Sequence, residues 1–532
     1  MLNYWWVTRP KRRLDSIPEV LTIFSEISLE QQWTGQRETH LKYEDALETA
    51  GLKRVGERRD HGGGGGRTYA SWLESLGLIF KQESTGNIQL TLAGEAIMNG
   101  DNPVEVLTPQ IWKYQFPSAY STGRSVAVDP RFKIRPFLFL LKLLVDERIV
   151  FLTEEEIAKI VITEAENETN KCYEHIVNRI QQFRSYGDKS LRSDFFEIYT
   201  SDRIKKDRSK KIIAEQKTSN PFGYLLDVSN TMINWLEYTQ FAHRDKNDDN
   251  KLYILPDKRE QAVKLISNLP PFIDHPEQKE RFQRRYGIDP KHNKDTRNLS
   301  QSQTITSRII LESKIRSAYI RLSMAKPIYS ITPQIIESIQ SETGAEEALI
   351  EDYLNKNYSG GSIGAFMVSY HEMAFSGTEK ATEFEKTTTD IFRDVFKYNA
   401  IHLGQTGSKS APDILLISDS DGYQAIIDNK AYSRYSITGD HHNRMVHNYI
   451  KGISNYSPSN YPIGFFTYIA GGFKDSINKQ IRNEVDESGT NGSCITVDDF
   501  IKLVQKAHDH FYSHKSLRHI FGLNRQIVMS DF

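Results

Sequence analysis

A short acidic turn between two aliphatic runs constrains the fold of this chain more than any other feature. The runs cover residues 414–417 and 423–427, and the sequence between them, 418–422, reads Ser-Asp-Ser-Asp-Gly. Short aliphatic runs on both sides of a polar turn with glycine are typical of a β-hairpin. A hairpin brings its two outer ends together, and here those ends carry Asp413 and Asp428.

Asp413, Asp428 and Lys430 together predict a metal-dependent nuclease site. Side chains two positions apart in a strand share a face, so Asp428 and Lys430 should point one way and Asn429 the other. Carboxylate oxygens suit Mg²⁺, which also accepts water and phosphate as ligands, and Mn²⁺ or Ca²⁺ could replace it in binding. A neighbouring Lys can assist the attacking water. The candidate metal ligands are Asp413, Asp428 and Asn429.

A plain hairpin with solvated charges is the alternative interpretation of the same residues. The Asp-x-Lys, however, ends an Ala-Ile-Ile run, where charged side chains are otherwise unfavourable. The partner strand also opens on Pro412 and Asp413. These two features favour the nuclease site.

The length of the chain, 532 residues, predicts about three domains, because one ordinary core does not accommodate so many residues. No run of 18 apolar residues occurs, and the first residues do not read as a basic region followed by an apolar stretch. We therefore expect a soluble protein without a membrane span or secretion signal. Cys172 and Cys494 are far apart and provide no disulfide framework, which favours a reducing cytosol.

Charge is unevenly distributed along the chain. Residues 1–340 contain 50 Lys and Arg against 45 Asp and Glu, whereas residues 341–532 contain 18 against 24. The excess of positive charge is modest and is weak evidence for nucleic acid by itself, since a binding face can be basic on a neutral domain.

Two segments of the first half have the helix, strand, turn, strand, helix order of a winged helix. The first covers residues 67–93 and the second covers residues 230–259. Many winged-helix domains bind proteins instead of DNA, so this pattern is compatible with either kind of partner.

We therefore predict an α+β multidomain chain. Its N-terminal region would be mainly helical, with winged-helix-like DNA-recognition subdomains at 1–150 and 151–275 and a helical linker at 276–345. For residues 346–532 we predict an α/β nuclease domain. Its helices and strands follow in the order α, β, β, α, β, α, β, α, which is typical of a mixed sheet between helices. Glu385 lies in the helix before the hairpin.

A run of five glycines at 62–66 precedes Arg67. No Gly-Lys-Ser/Thr follows the run and no strand precedes it, so a nucleotide-binding P-loop is excluded. We expect a flexible loop that can lie along DNA. His402, Ser408 and Lys409 lie just before Asp413, where they could touch the scissile backbone. The candidate DNA contacts are Arg67, Lys113, His402, Ser408 and Lys409.

Short sequence blocks in the last third are those of a known family. In chain order they are Phe384-Glu385, Tyr398, Ile401-His402-Leu403-Gly404, Gly407-Ser408, Pro412-Asp413 and Asp428-Asn-Lys-Ala-Tyr-Ser433. With these blocks the last third resembles the cleavage domain of the FokI-type Type IIS restriction endonucleases, which are PD-(D/E)xK nucleases. The resemblance implies that Asp413 and Asp428 bind metal, with Lys430 as the family's lysine. It also implies that Glu385 is the acid that orients the attacking water.

The first 270 residues are similar to the recognition region of AlwI-type enzymes, which related site-specific nicking enzymes share. The similarity is carried by blocks at 90–96, 113–118 and 135–141. It implies that the N-terminal part of the chain recognises double-stranded DNA and that the C-terminal part cuts it. The similarity does not disclose the recognition sequence.

The resemblance also implies partners for the chain. One active site cuts one strand, so a second copy of the catalytic domain or a small partner subunit would be needed for the other strand. The family further implies cleavage at a fixed offset outside an asymmetric site, a cognate DNA methyltransferase and a bacterial cytoplasmic location.

Several alternatives stay open at this point. The chain could be a nicking endonuclease, the large subunit of a heterodimeric restriction enzyme, or a Mrr-like endonuclease that reads modified bases. A winged-helix regulator with a decayed nuclease fold is disfavoured by the intact acidic residues and lysine. Residues 440–443, Asp-His-His-Asn, suggest an HNH nuclease, but no ββα pattern with a further histidine follows.

Overall fold

The chain divides into two compact units in the computed structural model. The N-terminal unit contains Met1–Leu322 and Thr332–Asn357, and the C-terminal unit contains Ser323–Ile331 and Tyr358–Phe532. The four-part division predicted from the sequence stays a prediction. The structure describes residues 1–532 except 30, 56–61, 83, 99–100, 120–126, 201–221, 246–247, 270–271, 275–281, 283–306, 326–327, 329, 359–363, 376, 378–379 and 405–410.

Helices predominate in the described part of the first 358 residues. They are α1 (Ile17–Ser28), α2 (Arg37–Thr49), α3 (Gly64–Ser75), α4 (Leu92–Met98), α5 (Pro103–Lys113), α6 (Pro136–Val145), α7 (154–164, with a π-helical middle at Ile157–Val161), α8 (Asn170–Tyr186), α9 (Phe195–Ile198), α10 (Gly223–Tyr238), α11 (Arg259–Ser267), α12 (Ser307–Ala325), α13 (Pro333–Thr343) and α14 (Glu347–Tyr358). Short 3₁₀ turns occur at Gly187–Ser190 and Pro256–Lys258.

Local sequence accounts for where two of these helices begin. Pro136 starts α6, because its fixed φ suits the first helical position and its missing N–H is not needed there. Thr153 caps α7 by accepting a hydrogen bond from the Glu156 N–H, while the Glu156 carboxylate accepts one from the Thr153 N–H.

The first predicted winged-helix segment, residues 67–93, has the predicted order of helix, hairpin and helix. After α3 comes the antiparallel pair β1 (Ile79–Lys81) and β2 (Ile88–Leu90), followed by α4. The glycine run at 62–66 was predicted to be a loop, but its last three residues belong to α3, which begins at Gly64. An added Cβ on Gly66 would lie 2.5 Å from the His40 carbonyl oxygen, so the glycines allow close approach to α2.

The second such segment also has the predicted order, with one further strand. β4 (Ala242–Asp245) and β5 (Lys251–Ile254) form an antiparallel pair between α10 and α11. The added strand, β3 (Phe151–Leu152), pairs with β5 and gives the sheet order β3-β5-β4. Assignment of either segment as a winged helix stays a prediction.

The C-terminal unit is built on a six-stranded mixed sheet in the order β11-β10-β9-β8-β7-β6. Its strands are β6 (Asn399–His402), β7 (Ile414–Ser418), β8 (Tyr423–Lys430), β9 (Ile463–Ala470), β10 (Gly492–Thr496) and β11 (Gln526–Ile527). The pairs from β6 to β8 are antiparallel and those from β8 to β11 are parallel.

Helices cover both faces of this sheet. They are α15 (Gly364–Phe375), α16 (Ala381–Asp394), α17 (Gly439–Asn443, continuing as a π-helix over Arg444–Ile450), α18 (Ile477–Ser488), α19 (Val497–Asp509) and α20 (His514–Phe521), with 3₁₀ turns at Ile453–Asn455 and Met529–Asp531. One core joins α15, α16, α19 and α20 to the sheet, and a second joins α17 and α18 to the opposite face. A mixed arrangement of helices and sheet was predicted and is confirmed.

From α16 onward, three elements of this unit are additional to the predicted order. They are β6, β11 and α20. β6 has only four residues, all at least partly exposed, so it lacks the apolar alternation that marks a strand. β11 has two residues. In the described part of the chain, no helix is long and apolar enough to span a membrane.

Candidate active site

The hairpin formed by β7 and β8 brings Asp413 and Asp428 together, as predicted. Ile414 pairs with Ile427 in the antiparallel register, and the two aspartates lie one step beyond that pair. The Asn429 N–H donates to Asp413 Oδ2 at 2.7 Å, which fixes the first carboxylate against the second strand.

Lys430 lies on the same face as Asp428 and forms an ion pair with it. The distance from Lys430 Nζ to Asp428 Oδ2 is 2.6 Å, and the two side chains are 14% and 4% exposed. Burial lowers the pKa of Lys430, but the charges of Asp428 and Asp413 outweigh burial and hold that pKa above its ordinary value. The lysine is therefore a fixed positive charge beside the two carboxylates.

The two carboxylates are crowded together. Burial raises the pKa of Asp413 well above its usual range, and the neighbouring Asp428 raises it further. The second oxygen of the other aspartate, Asp428 Oδ1, is buried without a hydrogen-bond partner among the described residues. A divalent cation would stabilise the ionised form of the paired carboxylates and would take Asp428 Oδ1 as a ligand.

The donor set suits a cation that keeps part of its water shell. No group of three or more His, Cys, Asp and Glu side chains in the described ranges is arranged to hold a metal ion. Two carboxylates alone leave positions for water and for a substrate phosphate, which is how Mg²⁺ is usually held. The residues at this site therefore fit a divalent metal.

Asn429 points to the other face of β8, as strand alternation predicts. Its Nδ2 donates to Thr388 Oγ1 at 2.6 Å and to the Phe384 carbonyl at 3.3 Å, both in α16. Its Oδ1 is buried without a hydrogen-bond partner in the described parts of the chain. The role of Asn429 as a metal ligand stays a prediction.

Glu385 projects from α16 toward the same aspartates. Its charge contributes to the raised pKa of Asp413, so the two carboxyl groups are electrostatic neighbours. His402, at the end of β6, places Nε2 3.0 Å from Glu385 Oε2. The structure thus brings together Glu385, His402, Asp413, Asp428 and Lys430.

Two of the other candidate DNA contacts, Arg67 and Lys113, lie in a different unit of the chain from this cluster. Arg67 is exposed in α3, where its Nη1 donates to the Gly62 carbonyl at 2.5 Å. Lys113 is half-buried at the end of α5, and both residues belong to the N-terminal unit. Ser408 and Lys409 lie outside the described residues.

Two buried groups near Asp428 were missed from the sequence. Tyr468 stands opposite Asp428 in the parallel register of β8 and β9, and its hydroxyl donates to Glu484 Oε1 at 3.0 Å. Glu484 is fully buried in α18. A glutamate in an amphipathic helix normally lies on the solvent side, so no sequence signal distinguished this one.

The histidines that suggested an HNH nuclease have local partners. His441 Nδ1 is 2.9 Å from the Tyr435 hydroxyl, and His442 Nε2 is 2.8 Å from Glu487 Oε2. These contacts hold α17 against its neighbours in the C-terminal unit. They give no support to an HNH site.

Two protein-family models match the chain. The family model described as FokI, cleavage domain, matches residues 344–528, and the model described as AlwI restriction endonuclease matches residues 74–360, more than half of the chain. Comparison with curated protein sequences gives no match.

Solved structures give weaker similarities. The restriction endonuclease FokI is 13% identical over 99% of this chain and 100% of its own, with a TM-score of 0.28. The BpuJ1 endonuclease binding domain, solved with modified DNA, is 16% identical over 53% of this chain and 96% of its own, with a TM-score of 0.35. TM-scores this low carry no weight, so the assignment rests on the family models. The chain belongs to the AlwI restriction endonuclease family, with a FokI-type cleavage domain in its last third, and is a Type II site-specific deoxyribonuclease.

Proposed function

We propose that this protein is a Type IIS restriction endonuclease that binds a short asymmetric sequence in double-stranded DNA. It would hydrolyse phosphodiester bonds at a fixed distance outside that sequence and would depend on Mg²⁺. The observation that carries the proposal is the buried arrangement of Asp413, Asp428 and Lys430 at the open end of one hairpin.

Asp413 and Asp428 are the residues that would hold Mg²⁺. Asn429 is the third candidate ligand, and its side chain is turned to α16 on the other face of β8. When bound, the cation would supply Lewis-acid stabilisation of the charge that develops on the scissile phosphate. Mn²⁺ or Ca²⁺ could take its place in binding.

The protein groups have distinct tasks in the proposed hydrolysis. Glu385 orients the water for in-line attack on phosphorus with inversion. Lys430 assists this nucleophile and offsets negative charge on the phosphate, a task for which a fixed ammonium beside two carboxylates is suited.

Recognition is assigned to the N-terminal unit, whose two helix and hairpin segments would read the DNA. Arg67 and Lys113 are candidate contacts there. A methyltransferase acting on the same sequence would protect the host DNA, and both proteins would work in the bacterial cytoplasm.

The second strand requires a second active site, because one chain provides one set of catalytic residues. A second copy that pairs transiently on DNA would supply it, or a small partner subunit. If neither a second copy nor a partner subunit binds, the enzyme would nick one strand.

The first experiment maps the ends of digested DNA. Plasmid DNA is incubated with the purified chain and Mg²⁺, and the fragment ends are sequenced. A constant offset from one asymmetric sequence supports the Type IIS proposal. Ends inside a symmetric sequence, or cutting that depends on base modification, contradict it, and a nicked circle that never becomes linear identifies a nicking enzyme.

The catalytic assignment is tested with Asp428→Asn. This variant should bind the mapped site normally but lose cleavage by about 10³-fold or more, since a metal carboxylate is removed. Asp421→Asn is the matched control, because Asp421 is exposed in the turn of the same hairpin. Normal cleavage by the Asp428 variant would refute the site.

A further inference from the structure

We propose that His402 is a positioning residue for the Glu385 carboxylate and not a contact to the DNA backbone. The proposal rests on the function proposed above, in which Glu385 orients the attacking water. It assigns the histidine to the chemical step instead of to DNA affinity.

The first observation is the contact between the two side chains. His402 Nε2 lies 3.0 Å from Glu385 Oε2, and the side chains are 14% and 15% exposed. An N–H at Nε2 donates to the carboxylate, which holds one glutamate oxygen in a single direction. A histidine with this nitrogen committed and so little exposed surface is poorly placed to reach a phosphate.

The second observation is the tie between His402 and the metal carboxylates. His402 pairs with Ile414 across β6 and β7, one position from Asp413. The next two residues, Leu403 and Gly404, both donate their N–H groups to the Asp413 carbonyl, at 2.8 and 3.2 Å. The histidine is therefore anchored by backbone hydrogen bonds to the aspartate that would bind metal.

The third observation concerns the space around Glu385 Oε2. A Cβ added to Gly404 would lie 2.1 Å from that oxygen and 3.2 Å from His402 Nε2. Glycine at 404 is thus required for the carboxylate to occupy this position. With Oε2 enclosed by His402 and Gly404, the other oxygen, Oε1, is the one left to orient the water.

These contacts define a division of labour within the carboxylate. One oxygen is held by the imidazole N–H, which leaves the other oxygen to orient the water. Second-layer hydrogen bonds of this kind typically change activity by about 10–100-fold when they are removed.

The test compares single-turnover cleavage at saturating protein with equilibrium binding to the mapped DNA site. His402→Ala should lower the single-turnover rate by about 10–100-fold and leave the Kd for DNA unchanged within about twofold. His402→Gln, which restores an N–H donor at similar reach, should recover part of the rate. Gly404→Ala should lower the rate as His402→Ala does, whereas Gly439→Ala, where an added Cβ meets nothing within 4 Å, should not.

A double-mutant cycle of Glu385 and His402 shows whether the histidine acts through the glutamate or independently of it. Glu385→Ala with His402→Ala should be no slower than Glu385→Ala alone, because the histidine acts only through that carboxylate. Additive losses would overturn the proposal. A normal rate for His402→Ala would do so too, as would a rise in its Kd for DNA of about tenfold with a weaker salt dependence, which is the behaviour of a phosphate contact.

The same data distinguish failure of this inference from failure of the proposed function. If Asp428→Asn and Glu385→Ala lose cleavage while His402→Ala does not, only the inference fails. If Asp428→Asn cleaves normally, the proposed site itself is wrong.

Discussion

Asn429 Nδ2 donates a hydrogen bond to Thr388 Oγ1 at 2.6 Å, and this contact joins the strand that carries Asp428 to the helix that carries Glu385. Thr388 Oγ1 is also 2.8 Å from the Tyr370 hydroxyl, and it donates to the Phe384 carbonyl. All of these groups are buried. The position of α16 on the sheet is therefore specified by a polar contact as well as by apolar packing.

Thr388→Val should destabilise the protein and slow cleavage. The substitution keeps the shape but leaves the Asn429 amide without its shorter partner in a buried place, which costs about 1–3 kcal/mol. Urea unfolding and single-turnover cleavage measure the two effects. Thr389→Val is the control, since Thr389 Oγ1 donates to the Glu385 carbonyl within its own helix. Equal behaviour of the two variants would show that the contact across α16 and β8 has no special role.

Lys430→Gln should lose cleavage by about 10²–10³-fold at saturating protein, because it removes the preorganised charge that we propose offsets negative charge on the scissile phosphate. Lys430→Arg should also be slow, since a planar guanidinium does not reproduce a compact ammonium 2.6 Å from Asp428 Oδ2. DNA affinity measured with Ca²⁺ should change little. Lys451→Gln, at an exposed position of the same unit, is the control. Full activity of Lys430→Arg would mean that only net charge matters.

Metal binding should stabilise the folded protein in the absence of DNA. If the Kd for Mg²⁺ is about 1 mM, then about 10 mM Mg²⁺ adds about 1.4 kcal/mol to the free energy of unfolding. Calorimetry with Mg²⁺ or with EDTA measures this difference. Asp428→Asn should abolish the stabilisation and Asp421→Asn should keep it. An equal response of both variants would place the cation elsewhere.

The hairpin and the residues at its ends could be predicted from the sequence because their signals are local. Two aliphatic runs around an acidic turn specify the strands, and alternation then places Asp428 and Lys430 on one face. The register that sets Asp413 beside Asp428 follows from the same hairpin. Glu385 became a candidate catalytic residue only through the similarity to FokI-type cleavage domains, because no local sequence pattern connects it to the hairpin.

The remaining contacts depend on tertiary structure and leave little trace in the sequence. β6 is short and partly exposed, so the strand that positions His402 has no period-2 pattern. The position of His402 shortly before Asp413 predicts a contact with the DNA backbone, and the contact of its Nε2 with Glu385 could not be predicted from the sequence. Glu484 reads as a surface residue of an amphipathic helix, and only the packing of α18 on β9 shows that it is buried.

Glu484 should make the stability of the protein depend on pH. Its carboxyl group is fully buried, its Oε1 accepts a hydrogen bond from Tyr468, and its Oε2 has no hydrogen-bond partner among the described residues. Burial raises the pKa of Glu484 to about 9; the Tyr468 hydroxyl opposes the rise, and Asp428 adds to it while Lys430 opposes it. On the other side, His442 Nδ1 lies 3.7 Å away.

The direction of the effect follows from proton linkage. The unfolded carboxyl group releases its proton near the ordinary glutamate pKa of 4.5, whereas the folded one keeps it until about 9. Between these values the unfolded chain binds fewer protons than the folded chain, so the contribution of Glu484 makes stability fall as pH rises. Glu484→Gln cannot ionise and should remove this part of the fall.

Calorimetric Tm values at about pH 6 and pH 8.5, both inside the interval in which the linkage acts, test the prediction. The wild-type Tm should decrease more between these pH values than that of Glu484→Gln. Glu487→Gln is the control, because Glu487 is 44% exposed in the same helix and its pKa is lowered by the hydrogen bond with His442. Parallel curves for wild type and Glu484→Gln would mean that the buried carboxyl is already ionised at pH 6. In that case the neutral form of Glu484 inferred from its burial would be wrong.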